Sequence, residues 1–486
     1  MHYETVIGLE THVQLSTASK VFCADSTAFG AAPNTQTSIV SLAHPGTLPR
    51  LNRRAVEYAV RLGLALGCEI NPRSTFDRKN YFYADSPKGF QTTQDRSPIC
   101  IGGQVRVTVN NQPLTIRLHH IHLEEDAGKS LHDQDPNESL IDLNRAGVPL
   151  LEIVSEPDLR SAEMVTAYME EIRRLVRWLD ISDGNMEEGS LRCDVNVSVR
   201  PLGAEQYGQR CEIKNMNSMR FARRAIDYEV QRQIGLLEAG NPVQQETRGF
   251  DAATGCTFSL REKEDAHDYR YFPEPDLPPV VLSPAFLEKS RLEMPSLPAA
   301  LEAEWPAQYG LSAYEAGLLT QEKETALYFL QLVAAAGEGA IVAPKAIANL
   351  LINKLLPWAA SAGQAVDTNP VAPARWLEFL QLLESGQVSG SAAYQRLFPA
   401  LLENPQTAPA QLATELQLLQ NADTDFLEQL VAGVLARYPD KVADYRRGKK
   451  GLLGLFMGEV MKASRGQADP VVTQRLLEVK LKIPLL

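Results

Sequence analysis

The chain has 486 residues, with 48 Lys and Arg against 60 Asp and Glu, a formal charge of −12. At 44% hydrophobic and 22% charged, the composition is ordinary for a globular protein and excludes a disordered, collagen-like or membrane-embedded chain. At roughly 100–200 residues per domain the length suggests about three domains; the acidic balance excludes nucleic-acid binding through overall charge, though not at a local basic patch.

The opening MHYETVIGLE lacks a basic segment followed by an apolar stretch and a small-residue cleavage site, so no secretion signal is expected. Six cysteines with gaps of 45, 32, 93, 18 and 45 make no zinc or redox pair, and a reduced, cytoplasmic protein is expected. From Val6 to Leu15 a strand is predicted, with Ile7, Leu9, Val13 and Leu15 on one face and Gly8, Glu10, His12 and Gln14 on the other. The segment FDRKNYFYADSPKGFQ (76–91) interleaves aromatics with cations, a pattern that suits stacking on bases beside phosphate. A tyrosine-rich hairpin with a solvated edge would read the same way.

LEEDAGK then crowds Glu124, Glu125, Asp126 and Lys129 into seven residues. Ser161 is a candidate N-cap for a helix burying Val165, Tyr168, Met169, Ile172, Leu175, Val176 and Leu179. From Leu191 to Arg200 a second strand alternates an apolar face (Leu191, Cys193, Val195, Val197, Val199) with a polar one bearing Arg192, Asp194 and Asn196. CEIKNMN adds Glu212 and Lys214. A helix starting near Ser218 carries Ala222, Ile226, Val230, Ile234 and Leu237 on one side and stops at Gly240-Asn241-Pro242. Strands with inserted helices, not in strict alternation, indicate α+β.

The prolines of FPEPDLPPVVLSP mark a junction, after which Leu- and Ala-rich helical patterns take over. A further break at ENPQTAP leads to three expected domains: 1–290, 291–404 and 405–486. No stretch is apolar enough to span a membrane; between Leu327 and Ala360 alone, Glu338, Lys345 and Lys354 intervene.

Carboxylates in such numbers repel one another unless cations sit among them, and either basic side chains or a hard divalent metal can supply the charge. For Glu10 with His12, and for the run from Glu124, a solvated surface is the plain alternative. For Arg192, Asp194 and Asn196 it is a structural hydrogen-bond ladder. AGKS is not the end of a phosphate loop, because Leu123 stands where that motif needs Gly. Nor is there an HExxH, GxSxG, GxGxxG, kinase or glutaminase signature.

The strings VIGLETHVQL, FDRKNYFYADSPKGFQ, HLEEDAGK, DLNRAGVPLLEIVSEPDLRS, MEEGSLRCDVNVSVRP, EIKNMNS, QETRGFD and DYRYFPEPDLPP run in one order through residues 1–280. Together they resemble the B-subunit family of aspartyl/glutamyl-tRNA amidotransferases. The tail YRRGKKGLLGLFMGEVMKASRGQADP resembles that family's tRNA-contacting domain. The resemblance implies a β "cradle" with inserted helices, a helical domain and a small helical tail. It implies ATP-dependent phosphorylation of the side-chain carboxylate of Glu-tRNA(Gln) or Asp-tRNA(Asn). Amidation then uses ammonia from the amidase, or A, subunit, with the small C subunit bridging the two.

Matched residue by residue, the resemblance points to Glu10, His12 and Glu125 as metal ligands, with Glu124 beside them and Glu188 and Asp194 at a second acidic position. Of these, Glu10, His12, Glu125 and Asp194 are the expected catalytic set. Mg²⁺ is the expected metal, and Mn²⁺ suits His12 better. Lys79, Asn80, Tyr81, Lys129, Arg192, Asn196 and Lys214 are expected at ATP phosphates or the tRNA acceptor end.

An archaeal-type relative carries an extra domain after the cradle, for which the helical onset soon after Pro279 leaves no room. Arg446, Arg447, Lys449, Lys450, Lys462 and Arg465 are the expected RNA contacts of the tail. Within Lys441–Arg465 basic residues outnumber acidic ones 7 to 2, and Gly448, Gly451, Gly454 and Gly458 permit close approach to a phosphate backbone. The rival expectation is a non-catalytic tRNA-binding scaffold, which would have no need of the carboxylates at 10, 124, 125, 188 and 194.

Overall fold

A computed structural model describes residues 2–80, 82–135, 138–262, 269–337, 339, 341–420, 423–464 and 466–482. The chain divides into two compact units, Met1–Pro298 and Ala299–Leu486. The first holds β1 (Tyr3–Gln14), β2 (Glu69–Ile70), β3 (Arg73–Ser74), β4 (Asp77–Asn80), β5 (Phe90–Thr93) and β6 (Cys100–Ile101). There follow β7 (Gln104–Val109), β8 (Gln112–Glu125), β9 (Lys129–Asp135), β10 (Glu138–Asp142) and β11 (Pro149–Ser155). Last come β12 (Leu191–Pro201), β13 (Cys211–Met216), β14 (Glu246–Asp251), β15 (Cys256–Glu262), β16 (Phe272–Pro273) and β17 (Val280–Val281).

Ten of these strands form one sheet in the order β15-β14-β13-β12-β1-β11-β8-β6-β2, with β7 also on β8. Pairing is antiparallel except between β13 and β14. β1 therefore lies near the middle, between β11 and β12. Its strict alternation suits that place: Ile7, Leu9, Thr11 and Val13 are all buried on one face against the hydrophobic core.

Three helices complete that core: α1 (Arg53–Ala65), α2 (Ala162–Trp178) and α3 (Met219–Glu238). α2 starts as its sequence indicates, with the Ser161 side chain accepting a bond from the Met164 N–H. Val165, Tyr168, Met169, Ile172, Leu175, Val176 and Leu179 are all buried. Thr11 is fully buried and its hydroxyl points to the Met169 sulfur at 3.8 Å.

α3 departs from the expected apolar stripe. Ala222 and Ile226 are buried, but further along Glu229 and Gln233 occupy the interior while Ile234 and Leu237 are only half-buried. The reason is a polar network around Glu229, since a buried carboxylate is tolerated when its lone pairs are met. Glu229 accepts from Arg232 at 2.7 Å, from Gln233 at 2.9 Å and from the Thr257 hydroxyl at 2.9 Å, and pairs with Arg248 at 3.3 Å.

Among the described residues of the second unit the elements are all helices, joined by turns and loops with one isolated β-bridge, Val388–Leu419. Its last four helices, Thr424–Arg437, Pro439–Arg446, Leu452–Ala463 and Pro470–Lys482, close on a core of their own that includes Leu427, Val431, Phe456, Val460 and Leu477. The fold is mixed α/β, a many-stranded sheet region followed by helices, in agreement with the α+β expectation. Among the described residues no helix is long and apolar enough to cross a membrane.

Candidate functional site

The face of the sheet opposite the helices carries the polar residues, and the strand register arranges them in rows. His12 stands opposite Arg192 of β12 on one side and Glu152 of β11 on the other. Glu152 in turn faces His122 of β8, and Leu150 faces Glu124. One step along β1, Glu10 faces Asp194. These rows floor a cavity of about 510 Å³, whose lining includes His12, Lys79, Lys88, Glu124, Glu125, Asp126, Glu152, Arg192, Asp194 and Lys214.

Two groups of ligand-type side chains result, each with donor atoms within 4.8 Å of one another: His12, Glu124 and Glu152, and Glu10, Asp194 and Glu212. The first group forms a mixed-charge chain. His12 Nε2 lies 3.3 Å from Glu152, and His122 Nε2 lies 3.7 Å from Glu152 and 3.5 Å from Glu124. Burial works against charge on His12, but the carboxylates of Glu152, Asp194 and Glu124 outweigh it and raise its pKa to about 9. Burial likewise opposes ionisation of Glu152, and His122, His12 and Lys79 overcome it, holding that carboxyl below the usual range. His120 is the contrast: burial, together with His122 and His119, lowers it to about 4.

In the second group, Lys214 pairs with Asp194 and Glu212 at 3.5 Å each, and Asn196 donates to Glu10 at 3.0 Å. Burial opposes the Lys214 charge, yet the two carboxylates raise its pKa. Lys79 behaves alike: desolvation is outweighed by the field of Tyr271, Glu124 and Glu152, and its ammonium sits 4.8 Å from the Tyr269 ring. The remaining acids are held individually. Glu125 accepts the Thr92 N–H at 2.7 Å and pairs with Lys88. Asp126 accepts from Gln14 at 2.6 Å and from Arg192 at 3.0 Å.

The structure thus divides the expected ligand set. Glu10 goes with Asp194 rather than with His12, and Glu125 stands apart with its own lysine. Glu188 is exposed in the turn before β12, outside the cavity lining. Lys129 is exposed at the start of β9 and likewise does not line the cavity. Asn80 spends its amide on the carbonyls of Tyr269 and Arg270, both at 2.8 Å. Tyr81 and Arg465 lie outside the described residues.

Sequence reasoning passed over Glu152 and His122, and left Glu212 and Lys88 without a role. The signal for Glu152 was present: a single carboxylate inside the apolar run LLEIV.

In the tail, Arg446, Arg447, Lys449, Lys450 and Lys462 are exposed. Asp444 pairs with Arg447 and with Lys449, the latter at 2.9 Å, and Lys450 lies 4.3 Å from the Tyr445 ring.

Residues 5–288 match the family model of the GatB/GatE catalytic domain and residues 328–481 that of the GatB domain. The chain is 50% identical over 480 residues to the B subunit of the aspartyl/glutamyl-tRNA(Asn/Gln) amidotransferase of Anaeromyxobacter sp. (strain K), covering 99% of each. To the proteins of that name from Solidesulfovibrio magneticus and Cupriavidus pinatubonensis it is 48% identical, with 99% of this chain and 99% and 100% of theirs covered.

Proposed function

Because this chain belongs to the family of aspartyl/glutamyl-tRNA(Asn/Gln) amidotransferase B subunits, we propose that its sheet cavity phosphorylates the side-chain carboxylate of Glu-tRNA(Gln) or Asp-tRNA(Asn) with ATP and then amidates it. A carboxylate oxygen attacks the γ-phosphorus, the bond from that phosphorus to the β,γ-bridging oxygen breaks, and ADP departs. Ammonia attacks the carbonyl carbon of the acyl phosphate, the carbon–oxygen bond to phosphate breaks, a proton is lost and inorganic phosphate leaves.

The observation that carries this reading is the pairing of cations and carboxylates around one cavity. Phosphoryl transfer needs positioned charge more than covalent help. Lys79 and Lys88 of the segment 76–91, Arg192 of β12 and Lys214 of β13 offer donors to phosphate oxygens. The all-oxygen set Glu10, Asp194 and Glu212 fits a hard cation such as Mg²⁺. The set with His12, Glu124 and Glu152 fits Mn²⁺ as well. A divalent ion bound there would spread the charge of the phosphates.

In this reading the chain works in a reduced cytoplasm with an amidase, the A subunit, that releases ammonia, and with a small C subunit. Residues 405–486 serve as the RNA-binding tail and 291–404 as its support. The test is the assembled enzyme supplied with Glu-tRNA(Gln), γ-labelled ATP, Mg²⁺ and free ammonium. Glu125→Ala and His12→Ala should abolish turnover while RNA binding persists. Turnover that survives both changes would instead make this chain a tRNA-presenting scaffold.

A further inference from the structure

β8 carries three histidines in four residues, His119, His120 and His122, and the chemistry proposed above makes no use of the first two. On a regular strand neighbouring side chains point to opposite faces, which would put His119 and His120 on opposite sides of the sheet. β8 is not regular there. Leu118 pairs with Ser155 of β11 and His120 with Val154, so two steps along β8 match one along β11, and His119 is the extra residue of a bulge. Burial along the strand records the slip: Ile116 and Leu118 are buried before it, Ile121 and Leu123 after it, so the inward positions change from even to odd. Bulges re-aim side chains. This one brings His119 beside His120, with their Nδ1 atoms 2.6 Å apart.

The pair continues inward. His120 Nε2 lies 3.0 Å from His122 Nδ1, the two rings stacking at 5.1 Å between centroids. His122 Nε2 faces Glu124 and Glu152 of the cavity. His119 is exposed, His120 half-buried and His122 buried, so the row runs from solvent to the cavity carboxylates. Directly across the strands His120 stands between Val154 and Ile101, neither of which carries charge.

We propose that His119 and His120 bind a transition-metal ion of borderline softness, of the class of Zn²⁺, Ni²⁺ and Cu²⁺, at a site separate from the carboxylate sets of the cavity. Imidazole nitrogen suits these ions, whereas Mg²⁺ prefers oxygen. A metal on Nδ1 places each ring's proton on Nε2. For His120 that N–H donates to His122 Nδ1, and His122 keeps its own proton on Nε2, toward Glu124 and Glu152. A ligating histidine whose other N–H enters a chain ending on carboxylates has its ring orientation fixed and its basicity raised. Two nitrogens on a tetrahedral zinc stand about 3.3 Å apart, so the exposed His119 ring needs to swing outward by less than about 1 Å. Water completes the coordination from the solvent side.

Equilibrium dialysis of the full-length chain, stripped of metal with a chelator and then held in excess Mg²⁺, tests the site with Zn²⁺ as the probe. His119→Ala, at an exposed position where folding is undisturbed, should hold one zinc fewer per chain than the wild type at the same free zinc concentration. The same deficit should appear when His119→Ala is made in a His12→Ala background, where the cavity set has lost its imidazole. X-ray absorption at the zinc edge should lose, with that ion, a shell of nitrogen at about 2.0–2.1 Å. Zinc should also raise the melting temperature of the wild type more than that of His119→Ala. A folded His119→Ala variant that binds as much zinc as the wild type overturns the proposal. So does a deficit that vanishes in the His12→Ala background, which would put the ion in the cavity. Turnover is no part of either readout, so the outcome is independent of the phosphoryl-transfer reading.

Discussion

In the sheet cavity Glu124, Glu125 and Asp126 are buried and each meets a donor, whereas in the tail Arg446, Arg447, Lys449 and Lys450 all stand in solvent. Removing charge from water is costly, so a buried ion must be matched by partners in fixed positions. An exposed cation needs no such match and acts at a distance that salt controls. The cavity is therefore suited to geometry-dependent chemistry and the tail to attraction of a polyanion. Substitutions in the two regions should fail in different ways.

The largest effect belongs to the cavity. Asp194→Asn keeps the side chain's shape and exchanges an ion pair with Lys214, which retains Glu212, for relief of repulsion from Glu10 and Glu212, so urea unfolding should show a change of about 1 kcal/mol or less. Turnover with saturating RNA and ammonium should fall by roughly a hundredfold or more. Activity within a few-fold of wild type would break the contrast.

Next comes Glu229→Ala, where buried charge serves structure rather than chemistry. It removes the buried carboxylate that Arg232 and Arg248 share, leaving Glu246 as their remaining acidic partner, and urea unfolding should show a loss of about 3–5 kcal/mol. The protein that remains folded should keep its turnover.

In the tail, replacing Lys449, Lys450 and Lys462 together by Ala should weaken RNA binding and flatten the plot of log affinity against log salt. The slope should fall by about 0.7–0.9 for each phosphate no longer neutralised. Stability and turnover at saturating RNA should hold.

The smallest effect concerns Glu315, which caps the helix at Ser312 and pairs with Lys345. Lys345 and the Ser312 N–H lower its pKa from 4.5 to about 2. Depressed in the folded state, it adds stability above pH 4.5 that is lost as pH falls toward 2. Glu315→Gln should remove that slope from an acid titration of the melting temperature, at less than about 1 kcal/mol for so accessible a pair.

The same contrast governs what the sequence discloses. The tail's basic character follows from counting residues. The faces of β1 and β12 and the Ser161 cap follow from local spacing. Glu152 and His122 do not, because their roles come from lying beside His12 across three strands, a register that neither run of sequence contains. Glu188 shows the converse: it is close to Arg192 along the chain, but the strand begins only at Leu191, and Glu188 is exposed in the turn before it, outside the cavity lining. Glu229 and Gln233 break a helical stripe because a partner strand, β14, brings Arg248 to meet Glu229, and Gln233 donates to the same carboxylate.

The position of β1 has a further consequence for synthesis. Both strands that flank it, Pro149–Ser155 and Leu191–Pro201, are made long after it. At about 5–20 residues per second, the ribosome needs roughly 10–40 s between finishing β1 and finishing its second neighbour. Until β11 is complete Ile7, Leu9 and Val13 have no sheet to enter, and until β12 follows one edge of β1 stays unpaired; strands with unpaired edges and bare apolar faces are prone to aggregate. Pairing across so long a separation also slows folding once the chain is free. The nascent N-terminus should therefore be a chaperone client, and a chain truncated before Leu191 should accumulate as insoluble material.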